Sequence, residues 1–152
     1  MAFKYLLPSK EDGDWGSYWD KISVADHLKD CDTDGLLPYF KKYFSKKSKI
    51  LEAGCGLGKW VIFWQKRGYN ILGIDSHSPT IKILKNYDKN LPVTIGNVEK
   101  LDLPDNNIDI YLSFVVVEHW EEGPQKVLQE AWRVMKPSGL AIIETPLDNS
   151  FR

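Results

Sequence analysis

Two cysteines, two methionines and three histidines are all that 152 residues hold of those types. Cys31 and Cys55 are too few for the disulfide framework of a small secreted domain. Long apolar runs are missing too. No segment approaches the ~20 residues a membrane-spanning helix needs, and residues 1–10 lack the apolar core of a signal peptide. A cytoplasmic chain is expected. Charge of one sign is also absent: 20 Lys and Arg balance 21 Asp and Glu, for a net charge of −1. Nothing in that balance draws the chain to nucleic acid or an anionic membrane, and neither is expected as a partner. Asp30-Cys31-Asp32-Thr33-Asp34-Gly35 imitates the first half of a calcium loop, but the place of the bidentate glutamate falls on Lys41. A lysine there repels the ion, so no metal is expected, and Asp34 reads as a helix N-cap.

Aromatic residues, by contrast, are plentiful, with six Trp, seven Tyr and six Phe. Phe3, Tyr5, Trp15, Tyr18 and Trp19 crowd the beginning, which suggests an aromatic-anchored arm over 1–33 and a single compact domain over 34–152. The arm either packs on the body or lies over a ligand, where the face of Trp19 would attract a cation. Leu36, Leu37, Phe40, Tyr43 and Phe44 have helical spacing, and the lysines at 41, 42, 46, 47 and 49 suit the end of that helix.

The centre of the chain is Ile50-Leu51-Glu52-Ala53-Gly54-Cys55-Gly56-Leu57-Gly58-Lys59-Trp60. A short apolar run, three alternate glycines and a second apolar segment read as strand, tight turn and helix. The glycines remove Cβ atoms from the turn, and the helix start aims unpaired N–H groups at the same place. The dinucleotide fingerprint G-x-G-x-x-G would need its third glycine at Lys59, which argues against a pyrophosphate cradle. Cys55 reads as a small packed thiol. Helix 60–66 closes at Gly68. A second strand, Asn70 to Asp75, follows, with Ser76 or Ser78 as cap for a helix over 79–87. In a right-handed strand–helix–strand unit the tip of the second strand returns beside the glycine turn. There the Asp75 carboxylate can accept from a ribose diol.

Glu52-x-Gly54-x-Gly56-x-Gly58 and Gly73-Ile74-Asp75-Ser76 resemble the class I S-adenosylmethionine-dependent methyltransferases. Gly96-Asn97-Val98-Glu99 with Leu101-x-Leu103-Pro104 is similar to that family's segment after the third strand. Ile108 to Phe114 with Val117-Glu118-His119 resembles its fourth strand and following turn. Glu130-x-x-Arg133-Val134-Met135-Lys136-Pro137-x-Gly139 resembles the helix and turn before its fifth strand, here Leu140 to Glu144. The resemblance spans about 34–146.

It implies a Rossmann-like α/β fold, doubly wound, with five parallel strands in the order 3-2-1-4-5 and helices on both faces. The family's C-terminal strands 6 and 7 are expected to be missing, which would leave the fifth strand as an apolar edge, covered by the chain's own tail, a partner or, as favoured here, a second copy in a homodimer. The implied cofactor is S-adenosyl-L-methionine, with S-adenosyl-L-homocysteine as product. The implied binding residues are Gly54, Cys55 and Gly56 along the methionine part, Glu52 facing its ammonium, and Asp75 with Ser76 at the ribose. Asn97 and Val98 would lie at the adenine and Phe114 beside the cofactor, and the aromatic cluster of the arm would bring Trp19 over its sulfonium as a lid. Asn97 stands where the family usually has Asp and gives up charge assistance. His119 is the one candidate general base; its alternative is a loop histidine satisfied by neighbours. Ser113-Phe114-Val115-Val116 lacks the signature of nucleic-acid amino-methyltransferases, which leaves a protein side chain or a small molecule as methyl acceptor. The alternative is a non-catalytic module that holds cofactor or partner without turnover.

Overall fold

The computed structural model of the chain describes residues 22–120 and 122–146. Trp19 and the other aromatic residues of the first twenty lie outside the described residues. Two short helices, α1 (Val24–Leu28) and α2 (Leu37–Tyr43), precede β1 (Lys49–Ala53). Then come α3 (Lys59–Gln65), β2 (Asn70–Asp75), α4 (Ser78–Tyr87) and β3 (Val93–Ile95). The chain continues with β4 (Ile108–Phe114), a 3₁₀ turn (Val117–His119), α5 (Gln125–Val134) and β5 (Met135–Glu144).

All strand pairings are parallel and the order is β3-β2-β1-β4-β5. Successive strand side chains point to opposite faces, and both faces are covered. Ile50, Ile71, Ile110 and Leu112 pack with Phe40, Trp60, Val61, Ile62, Ile81 and Leu84 on the face of α1 to α4. Leu51, Ala53, Ile74 and Tyr111 pack with Val127, Ala131 and Val134 of α5 on the other. This double burial explains why apolar residues stand next to one another in β1, at Ile50 and Leu51, and in β4, from Ile110 to Leu112, rather than strictly alternating.

Three local expectations are corrected. Asp34 is not the N-cap of α2. The flanking residue is Leu36, no side chain caps the helix, and a proline stands in its first turn. Pro38 lacks an N–H and presets the helical φ, so the first turn needs less capping. The Asp34 carboxylate instead accepts from Leu36 N at 2.9 Å. Neither Ser76 nor Ser78 caps α4, which begins after His77 without a side-chain cap; again a proline, Pro79, stands in the first turn. The fifth strand runs from Met135 rather than Leu140, because Ile108 already pairs with Met135 before a register shift. Pro137-Ser138-Gly139 lies within that irregular stretch. A Cβ on Gly139 would meet the Lys136 carbonyl oxygen at 2.9 Å.

Candidate functional site

At the C-terminal ends of β1, β2 and β4 the chain opens into a cleft of about 400 Å³, within the range of small-molecule sites, roughly 300–1,000 Å³. Gly54, Gly56 and Gly58 all have positive φ, 78°, 49° and 67°. A side chain on Gly54 would also drive its Cβ to 2.4 Å from Val116 Cγ2. The turn is tied to the next strand, with Gly54 N and Cys55 N both donating to the Ile74 carbonyl, at 2.8 and 3.0 Å.

Asp75 closes this arrangement. Its Oδ2 accepts from Gly56 N at 2.8 Å and its Oδ1 from His77 N at 2.9 Å. The carboxylate therefore locks the glycine turn to the tip of β2 and still has lone pairs for a diol. Glu52, 4% exposed, accepts from Val61 N at 3.1 Å in the first turn of α3. Burial pushes its carboxyl up from 4.5 to about 8, opposed by the Val61 N–H and by the Lys59 charge. The Cys55 thiol is buried, and its pKa is raised by that burial and by the Glu52 and Asp75 charges. It is a packed, unreactive thiol.

Of the residues singled out from the sequence, Glu52, Gly54, Cys55, Gly56, Asp75, Ser76, Asn97, Val98, Phe114 and His119 all line this one cleft. Val98 is buried, and Asn97 is exposed with its Oδ1 accepting from Glu99 N at 2.8 Å. That bond occupies the oxygen expected to face an adenine amino group, leaving it one lone pair. The Phe114 ring packs 5.9 Å from Phe40. His119 Nε2 lies 3.1 Å from the Val115 carbonyl oxygen. A carbonyl only accepts, so this nitrogen carries the proton and is engaged by its own loop. Among the described residues no group of three or more His, Cys, Asp and Glu is arranged to hold a metal ion.

The sequence reading missed other cleft residues. Lys59 reaches across from α3 to Asp34, with 2.6 Å between Nζ and Oδ2, and both line the cleft with His27 and Trp60. A pair separated by 25 positions leaves no spacing signal. Val115, also in the cleft, has φ 55°, which is rare for a β-branched residue. Glu118, just outside it, has both carboxylate oxygens buried without a hydrogen-bond partner.

A family profile described as a methyltransferase domain matches residues 51–143, the stretch from β1 into β5. The chain belongs to the class I S-adenosylmethionine-dependent methyltransferases. It is 30% identical over 100 residues to a malonyl-[acyl-carrier protein] O-methyltransferase of Hamiltonella defensa subsp. Acyrthosiphon pisum, covering 66% of this chain and 38% of that protein. Over 163 residues it is 28% identical to 2-methyl-6-phytyl-1,4-hydroquinone methyltransferase 2 of Oryza sativa subsp. japonica, covering 99% of this chain and 45% of that protein. A crystal structure of a Pyrococcus horikoshii OT3 protein superposes with a TM-score of 0.70 at 26% identity, over 93% of this chain and 66% of that one. The chain spans less than half the length of these curated relatives.

The family's cofactor is S-adenosylmethionine, and the cleft fits it. The glycine turn, its Cys55 and Leu57 side chains buried, ends at a fixed carboxylate for a diol. Val98 offers an apolar wall, and Glu52 and Lys59 offer one acid and one base for a zwitterionic amino acid.

Proposed function

We propose that this chain binds S-adenosylmethionine and transfers its methyl group to a protein side chain or a small molecule. The observation that carries the reading is Asp75, held by Gly56 N and His77 N at the end of the glycine turn and facing the cleft. Bound S-adenosylmethionine supplies an activated methyl group with a good leaving group. What remains for the protein is to align donor and acceptor and exclude water. Asp75 and Ser76 hold the ribose, Asn97 and Val98 the adenine, and Gly54, Cys55 and Gly56 the methionine part, with Glu52 at its ammonium. Phe114 closes the wall from β4. His119 stands where the acceptor enters and takes its proton when the acceptor needs a base.

Two relatives frame the acceptor. One is named for a carboxyl carried on a carrier protein, the other for a hydroquinone. The proposed acceptor accordingly remains a protein-borne group or a small molecule, and the proposed location is cytoplasmic. Incubation with methyl-labelled S-adenosylmethionine and panels of peptides, carrier-bound acids and phenols tests the activity. Transfer to one panel member, abolished by Asp75→Ala, is the expected result.

We also propose a homodimer through the β5 side. Ile143 of β5 is 39% exposed, and Leu128 and Trp132 of α5 are 41% and 76% exposed. Spaced by four, those two share one flank of the helix. Glu130 and Arg133 bind Leu101, Leu103 and Asp105 on the other flank, so the apolar flank looks toward the sheet edge. Light scattering at micromolar concentration should give twice the chain mass, reduced to one by Trp132→Glu.

A further inference from the structure

Lys59 is a charged residue where the cleft has little water to offer it. Lys59 and Asp34 expose only 21% of their side chains each. Desolvating such a pair costs about as much as the attraction returns, so its presence is weak evidence of a stabilising role. Its surroundings point elsewhere. The ammonium has three protons to donate, and Asp34 Oδ2 is the acceptor its hydrogen bonds show. Asp34 is fixed independently by Leu36 N, so the lysine head is held at the cleft wall with donors to spare. Its charge reaches the groups around it. It opposes the raised pKa of Glu52, and, after burial, it lowers that of His27. His27, Asp34, Glu52 and Lys59 all line the cleft at the glycine turn.

A cleft wall with one buried carboxylate and one mostly buried ammonium matches a ligand end that carries both charges. Glu52, whose carboxyl burial keeps protonated until a cationic ligand end ionises it, is the acidic half. We propose that Lys59 is the cationic half of an α-amino-acid subsite and binds the carboxylate of the methionine part, with Asp34 as the tether that keeps its head in place. The inference rests on the reading of the cleft as an S-adenosylmethionine site and adds a residue and a selectivity to it. Lys59 selects for ligands with a free carboxylate. A carboxylate arriving at the ammonium completes the donor set, and the binding is charge-assisted.

The experiment is calorimetric binding of S-adenosylhomocysteine and its decarboxylated analogue to the wild-type chain and to Lys59→Met, Lys59→Arg and Asp34→Asn. The wild type should prefer the carboxylate-bearing ligand by about 10- to 100-fold, the range of a charge-assisted hydrogen bond. Lys59→Met should lose that preference while keeping its affinity for the decarboxylated analogue. Lys59→Arg should retain most of it. Asp34→Asn keeps an oxygen that accepts from the lysine head and removes only the competing negative charge, so it should preserve or increase the preference. Equal loss for both ligands in Lys59→Met, or Asp34→Asn behaving like Lys59→Met, would make the pair structural and overturn the inference alone. So would a wild type without preference. A wild type that binds neither ligand overturns the cofactor reading and this inference together.

Discussion

On the β1–β2 side of the cleft, each carboxylate is met by backbone N–H groups: Glu52 by Val61, Asp75 by Gly56 and His77. On the β4 side, Ser113 Oγ and both oxygens of Glu118 are buried without a hydrogen-bond partner, and Val115 sits at φ 55°. Buried polar groups are normally paired, and strained backbone persists only where the surroundings enforce it. The first side is finished without a ligand. The second carries unpaired groups and strain next to the cleft-lining Val116 and His119.

The largest expected effect is on the finished side. Gly54→Val puts a branched side chain at φ 78°, with its Cβ 2.4 Å from Val116 Cγ2. Strain and overpacking together should cost roughly 3–5 kcal/mol of stability, read from denaturant midpoints. A loss below 1 kcal/mol would mean that the turn yields, and the contrast between the two sides would weaken.

Asp75→Ala should reduce S-adenosylmethionine affinity by about 2–4 kcal/mol, because the ligand diol loses a charged acceptor and Gly56 N loses its lock. Calorimetry reads the change, and an unaltered affinity removes Asp75 from the site.

Glu52 gives a pH signature of the same side. Its carboxyl rises on folding from 4.5 to about 8, so the native state holds a proton the unfolded chain has released. Its contribution to stability is full below pH 4.5 and is lost as pH rises toward 8. Lys59, Asp75 and Cys55 face it, and none of the three contributions reverses that sign. Denaturant unfolding at pH 5 and 7.5 should show a fall of at most about 3 kcal/mol from this group, flattened in Glu52→Gln. A cationic ligand end favours the carboxylate, so cofactor binding near neutral pH should release a proton. Calorimetry in two buffers of different ionisation heat detects it.

On the unfinished side the effects are smaller and of opposite sign. Val115→Gly removes the strain of a β-branched residue at positive φ and should raise stability by about 1 kcal/mol, while acceptor turnover falls as the loop loosens. A stability loss there would show that Val115 is held by packing rather than strained for function.

The two sides also differ in how far the sequence exposes them. Alternate glycines, an acid ending β1 and another ending β2 are written in adjacent residues, and the strand order follows from the same family pattern. Helix starts were less legible: Pro38 and Pro79 took over from the side-chain caps expected of Asp34, Ser76 and Ser78. The Lys59–Asp34 pair joins residues 25 apart, and folding alone brings them together. Val115 gave no warning, since β-branched residues argue against positive φ. The irregular start of β5 hid behind Pro137, which reads as a turn before a strand rather than a break within one.

Titration calorimetry of the wild-type chain with S-adenosylhomocysteine, and separately with NADH, tests the central claim most directly. The account predicts one-to-one binding of S-adenosylhomocysteine in the micromolar range and no heat with NADH. Tight NADH binding, or no response to S-adenosylhomocysteine at millimolar concentration, would contradict it.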